Sequence, residues 1–232
     1  IFEVEGFRLA GAKAAEFAIQ VRDELGICFR VINLGGGFGI RYTAEDKPLP
    51  AATYVQAIAD AVRTNFTAAQ YPLPEIWIEP GRSIIGDAGT TLYTVGTTKD
   101  IPGVRKYVAV DGGMTDNPRP ALYGSKYEAV LANRANEPAT ETVSIAGKCC
   151  ESGDMLIWDI ELPAVKPGDL LAVFCTGAYN YAMSSNYNRI PRPAVVFVKD
   201  GQASLVVRRE TYEDIVGNDL LPERLKAAPA AN

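Results

Sequence analysis

Two helix-length stretches each give way to a short apolar run, and that alternation narrows the folds open to the first third of the chain. Residues 7–25 carry Ala14, Phe17, Ala18, Val21 and Leu25 at helical spacing, with Gly26 placed to cap the end. Residues 29–34 then form a β-branched run that reads as a buried strand, ending abruptly in glycines. A second helix is predicted over 53–66, with Tyr54, Ile58, Ala61, Val62 and Phe66 on one face, and a second strand over 75–78. Helix, strand, helix, strand with short links is the pattern of a parallel α/β sheet or barrel.

Near Ile84 the texture changes. Short β-rich runs follow at 91–98, 106–110, 142–145, 170–174, 194–199 and 203–208, punctuated by Pro and Gly. Asp200-Gly201 between the last two is a hairpin turn signal. This is the texture of an antiparallel sheet module. It places a boundary near 85–90, dividing the chain into 1–86, 87–225 and a flexible tail at 226–232. Two β-α units are too few to close an eight-stranded barrel. The chain opens on Ile1 with no initiator Met and no apolar signal core, so it is expected to begin inside a longer protein.

Composition removes several function classes. A net charge of −5 with scattered Lys and Arg argues against nucleic acid. No apolar run approaches the roughly 20 residues of a membrane span. Without histidine, His-based zinc sites and Ser-His-Asp triads are out. Cys28, Cys149, Cys150 and Cys175 follow neither a disulfide framework nor Cys-x-x-Cys spacing, which points to a reducing cytosol.

Four strings carry chemistry. Gly35-Gly36-Gly37-Phe38-Gly39 follows a strand, and its bare backbone can approach an anion such as phosphate. Ile40 stands where a dinucleotide fingerprint needs glycine, and no Gly-Lys-Ser/Thr closes the loop. Taken alone, it is equally a ligand-free tight turn. Glu79-Pro80-Gly81-Arg82 ends the second strand. A carboxylate there needs a partner; a protonated ring nitrogen is one, Gly81 offers an open amide, and the Arg82 fork matches a carboxylate. In isolation this is a solvated surface turn. Arg119 lies between Pro118 and Pro120, which stiffen its backbone, and Tyr123 reaches the same ligand if the segment turns helically. Cys150-Glu151-Ser152-Gly153-Asp154 pairs a thiol able to return a proton with a carboxylate able to hold an ammonium group. Asp154 reads as a structural turn residue, and Cys28, Cys149 and Cys175 as core packing.

Together with Gly177-Ala178-Tyr179, these strings resemble the diaminopimelate decarboxylases, a group of pyridoxal-phosphate enzymes, over most of the chain. The resemblance implies the last part of a β/α (TIM-type) barrel followed by a carboxyl-terminal antiparallel β domain. It implies pyridoxal 5'-phosphate bound by Gly35, Gly36, Gly37, Glu79, Pro80, Gly81, Arg82 and Tyr179. An amino-acid substrate would be held by Arg82, Arg119, Tyr123, Glu151 and Tyr179, with Cys150 the catalytic proton donor and no metal. The implied reaction converts meso-diaminopimelate to L-lysine and carbon dioxide in lysine biosynthesis, in the cytoplasm, or in a plastid if a transit segment lies upstream. The implied assembly is a homodimer with shared active sites. The lysine that carries the cofactor in this group lies upstream of the matching region, so the chain is expected to be an inactive fragment. An ornithine- or arginine-type decarboxylase of the same fold, and a non-catalytic regulator derived from one, are the alternatives.

Overall fold

The computed structural model describes residues 1–226, and residues 227–232 of the expected tail lie outside the described residues. Helix α1 (Val4–Leu25) ends on Gly26, whose left-handed φ of 72° lets its amide reach Arg22 O at 2.8 Å. Strand β1 (Val31–Asn33) pairs in parallel with β2 (Glu75–Trp77), and α2 (Ala51–Ala68) lies between them in sequence. Gly11 of α1 brings the two helices close, since a Cβ there would meet the Ala61 side chain at 3.1 Å. Phe7, Ala15 and Ala18 of α1 bury against Tyr54, Ile58, Val62 and Phe66 of α2. Phe38, from the glycine bend, joins this core and packs on Phe7 and Tyr54 with centroids 5.2 and 5.4 Å away.

The two strands are less buried than their sequences suggest. Ile32 is the buried residue of β1, and Trp77 in β2 is exposed. Among the described residues this parallel pair has no further strand at either edge, so part of its apolar surface faces outward.

After the short helix α3 (Gly81–Ile85), the chain builds a six-stranded sheet. Its strands are β3 (Thr90–Ile101), β4 (Arg105–Val110), β5 (Ala129–Leu131), β6 (Glu141–Ala146), β7 (Met155–Leu162) and β8 (Leu170–Phe174). Their spatial order is β5-β8-β3-β4-β6-β7. All pairings are antiparallel except β4 with β6, which run parallel, so the module is predominantly rather than purely antiparallel. Helix α4 (Arg119–Tyr123) interrupts the strands. Val95, Val108, Val143, Ile145, Leu156, Leu171 and Val173 fill a second apolar core.

Strands β9 (Val195–Lys199) and β10 (Gln202–Val207) form a separate hairpin. Asp200 and Gly201 take φ of 51° and 74°, the paired left-handed conformations that the Asp-Gly signal predicts. A last short helix, α5 (Tyr212–Val216), has a capping box between Thr211 and Asp214. Among the described residues no helix is long and apolar enough to cross a membrane, and no group of His, Cys, Asp and Glu is arranged to hold a metal.

The cysteines are free. Cys28, expected in the core, is exposed because it sits in the loop leaving α1, while Cys149 and Cys175 are partly buried.

Candidate active site

The glycine bend and the Glu79 turn are built against each other. Glu79 N donates to Gly35 O at 2.6 Å, and a Cβ on Gly36 would meet Glu79 O at 1.9 Å, so only glycine fits there. Gly35 and Gly37 take φ of 68° and 92°, conformations that favour glycine. Asn33 braces both strings, accepting from Gly35 N at 2.9 Å and donating to Glu79 Oε1 at 2.6 Å. The amides of Gly36 and Gly37 meet no acceptor among the described residues. The Gly81 amide, expected to be open, donates instead to Glu79 O at 2.9 Å. The tight turn made by Pro80 closes that bond.

Gly37, Glu79, Gly81, Arg82, Arg119 and Tyr179 line one cleft of about 620 Å³. Tyr179 arrives from the loop after β8, in a left-handed conformation with φ 63°. That loop crosses the α3 turn backbone to backbone: a Cβ on Gly177 would meet Ile85 O at 1.9 Å, and Gly177 N donates to Gly86 O at 3.1 Å. The crossing sets the Tyr179 hydroxyl over Gly81, 3.2 Å from where a Cβ would stand.

Two guanidiniums share the cleft, and neither makes an ion pair among the described residues. Arg119 is only 7% exposed. Its Nε donates to the Tyr127 hydroxyl at 3.1 Å and its Nη2 to Ser125 Oγ at 3.2 Å. Burial raises the Tyr127 phenol above its ordinary value, and the adjacent Arg119 charge opposes this. Aromatic faces surround both cations. Arg82 lies 5.7 Å from the Tyr42 ring centroid and 5.2 Å from Tyr179, and Arg119 lies 5.8 Å from Tyr42, 5.5 Å from Tyr123 and 6.0 Å from Tyr179. Rings near the guanidiniums do not replace the carboxylate that a buried arginine needs. The site is thus equipped to bind an anion bearing carboxylate groups. The helical turn expected to bring Tyr123 toward Arg119 is α4.

Cys150 and Glu151 are not brought to this cleft; both are exposed on a turn after β6. Cys150 N donates to Asn188 Oδ1 at 2.9 Å, and Glu151 Oε1 accepts from Gly153 N at 3.2 Å. The base of that turn is rigid. Asp154, 3% exposed, accepts from Met114 N at 2.6 Å and from Cys149 N at 2.8 Å. It ties the Asp111-Gly112-Gly113 loop to the cysteine pair, and a Cβ on Gly113 or Gly147 would strike its carboxylate. Burial, then Asp154, pushes the Cys149 thiol up to about 11, leaving it protonated near neutrality. Beneath lies a buried pair in which Tyr93 donates to Asp116; burial raises both groups.

Sequence reasoning missed Tyr42, Tyr127 and Asn188. Tyr42 and Tyr127 are single aromatics without a local pattern. Asn188 sits at φ 54°, a conformation asparagine tolerates, and the Asn-Tyr-Asn string was the available signal.

Comparison with known proteins shows the family of the chain. The family model described as pyridoxal-dependent decarboxylase, C-terminal sheet domain, matches residues 21–177. The chain is 66% identical over 220 residues to a diaminopimelate decarboxylase of Bacillus subtilis (strain 168), covering 95% of this chain and 50% of that protein. It is 48% identical over 218 residues to the one of Staphylococcus aureus (strain COL), covering 94% and 51%. The crystal structure of diaminopimelate decarboxylase from M. jannaschii in co-complex with L-lysine superposes with a TM-score of 0.90 at 35% identity, covering 97% of this chain and 51% of that one. The chain spans about half the length of the curated relatives it matches.

Proposed function

Because this chain belongs to the pyridoxal-dependent decarboxylases, we propose that it supplies the anion-binding half of a diaminopimelate decarboxylase active site. One observation carries the reading: a buried arginine and a second, more exposed one share a cleft with the glycine bend and Glu79, and among the described residues neither makes an ion pair.

The residues present fit pyridoxal phosphate. The unengaged amides of Gly36 and Gly37 suit its phosphate, and Glu79, held in place by Asn33, suits its ring nitrogen. When bound, the cofactor supplies an electron sink for the reacting carbon. Arg82 and Arg119 bind substrate carboxylates, Arg119 through the N–H groups that Tyr127 and Ser125 leave unengaged. Tyr179 walls the cleft beside both cations, while Tyr123, exposed and outside the cleft lining, flanks Arg119 alone. Glu151 pairs with a substrate ammonium group, and the Cys150 Sγ–H returns a proton to the carbon that has lost its carboxylate.

Cys150 and Glu151 stand away from the cleft of their own chain, which supports a homodimer in which each copy's turn completes its partner's site. The lysine that carries the cofactor is assigned to sequence outside these 232 residues, because none of the lysines here has a matching context. Lys126 lines the cleft but is exposed. The known complexes of relatives with L-lysine support the same product here, and a cytoplasmic location is part of the proposal.

Turnover of diaminopimelate and of ornithine by the full-length protein tests the reading, with carbon dioxide release as the signal. Preference for diaminopimelate is expected, with no release from the 232-residue chain alone. Equal or better turnover of ornithine would instead favour the ornithine-type alternative.

A further inference from the structure

Tyr42 lies near both cations of the cleft. Its ring centroid lies 5.7 Å from the Arg82 guanidinium carbon and 5.8 Å from that of Arg119. It is held edge-on against Tyr127, with centroids 5.4 Å apart and planes at 88°, and Tyr127 in turn accepts from Arg119 Nε. Its backbone amide donates to Asp46 Oδ2 at 3.0 Å, while the neighbouring Arg41 O accepts from Cys175 Sγ at 3.0 Å. Tyr42 follows the glycine bend by three residues but packs against the core of the six-stranded sheet. The segment therefore reaches from the phosphate-type bend to the core of the six-stranded sheet, beside Tyr127 and its partner Arg119 of α4.

We infer that Tyr42 is a positioning residue, fixing the separation and orientation of the Arg82 and Arg119 guanidiniums so that both present their edges to one dicarboxylate. The inference rests on the reading of this cleft as a substrate site. Two like charges in one partly buried cleft repel each other, and a ring near both offers each a favourable π contact while blocking collapse of either side chain into the gap. Arg82 comes from the α3 turn and Arg119 from α4, so no backbone element sets their spacing directly. Two rings lie near both cations, Tyr42 and Tyr179, the latter 5.2 Å from Arg82 and 6.0 Å from Arg119; of these, Tyr42 is the one buttressed edge-on by Tyr127. The attraction belongs to the ring face rather than to the hydroxyl, and Phe should therefore substitute for Tyr where Leu should not.

The experiment uses full-length protein with Tyr42→Phe and Tyr42→Leu, folding being checked by thermal melting. Binding of pimelate, an unreactive dicarboxylate, is measured by calorimetry beside steady-state turnover of diaminopimelate. Expected for Y42L is a rise in KM and in the pimelate Kd on the order of tenfold, with kcat changed less than about threefold and Y42F close to wild type. If Y42L does not fold, Y42M, whose flexible side chain fills irregular space, carries the same comparison. Wild-type affinity in Y42L or Y42M overturns the inference, as does an equal loss in Y42F. Failure of the wild-type protein to turn over diaminopimelate would overturn the substrate-site reading instead, which separates the two.

Discussion

Arg119 and Cys150 come from two strings of similar chemical promise, but the fold treats them in opposite ways. Arg119 is enclosed, with two hydrogen bonds and three aromatic rings about its guanidinium. Cys150 is exposed, and its backbone hangs on one side-chain acceptor, Asn188. The proposed binding group is thus preorganised within a single chain, whereas the proposed proton donor is displayed outward. That contrast favours a division of labour between copies over a self-contained site.

The comparison breaks most decisively at Arg119. If Arg119 is the proposed desolvated partner of a substrate carboxylate, replacing it with Met should lower kcat/KM of the full-length enzyme by roughly two orders of magnitude or more. Ligand-free stability should hold or rise, because a buried cation lacking a carboxylate is itself costly. Steady-state kinetics and thermal melting read the two effects separately; a large stability loss with little kinetic change would make Arg119 a structural residue.

Next in size is complementation. R119M and C150A subunits, each nearly inactive alone, are mixed and allowed to exchange. If each site takes its arginine from one copy and its thiol from the other, half the dimers are mixed and each carries one intact site. Activity should then return to about a quarter of wild type. A mixture no better than its parents would place both groups in the same subunit.

What the sequence made legible follows the same divide. Helices α1 and α2 were readable because their apolar residues recur at helical spacing over many turns. The β9–β10 turn was readable because Asp-Gly states its own backbone geometry. Strand β7 was not, since Asp159 at φ 51° interrupts its alternation and its register with β6 shifts beside it. Strand β5 is three residues long and carries no pattern. In the site, motif strings announced Glu79, Arg82 and Arg119. Tyr42 becomes visible only when two segments far apart in sequence are packed together, and the engagement of the Gly81 amide depends on a turn closing locally.

Asp154 offers a sharper cut between the regions. Its carboxylate holds the amides of Met114 and Cys149, so Asp154→Ala leaves two donors unsatisfied beside a void and should cost about 3 kcal/mol. For a chain of this size that corresponds to a melting midpoint lowered by roughly 6–12 °C. Hydrogen exchange locates the damage: amides over 147–154 should exchange faster while those over 119–127 keep their protection. Equal loosening of both would mean that the cysteine turn and the arginine cleft form one cooperative unit.

The smallest expected effect separates two adjacent thiols. Burial, reinforced by the Asp154 charge, raises Cys149 to about 11 from an ordinary 9.0. Between those values the unfolded chain has released this proton and the folded chain still holds it. Stability from Cys149 is therefore fully present below pH 9 and is lost as pH rises toward 11. Cys150, one residue on, is exposed, as is Cys28. Brief treatment with iodoacetamide at pH 8, followed by peptide mapping, should modify Cys28 and Cys150 while sparing Cys149 and the burial-raised Cys175. Raising the pH toward 11 should bring Cys149 into reaction as the fold loosens. Labelling of Cys149 as fast as Cys150 at pH 8 would erase the distinction between a thiol anchored beside Asp154 and one displayed outward.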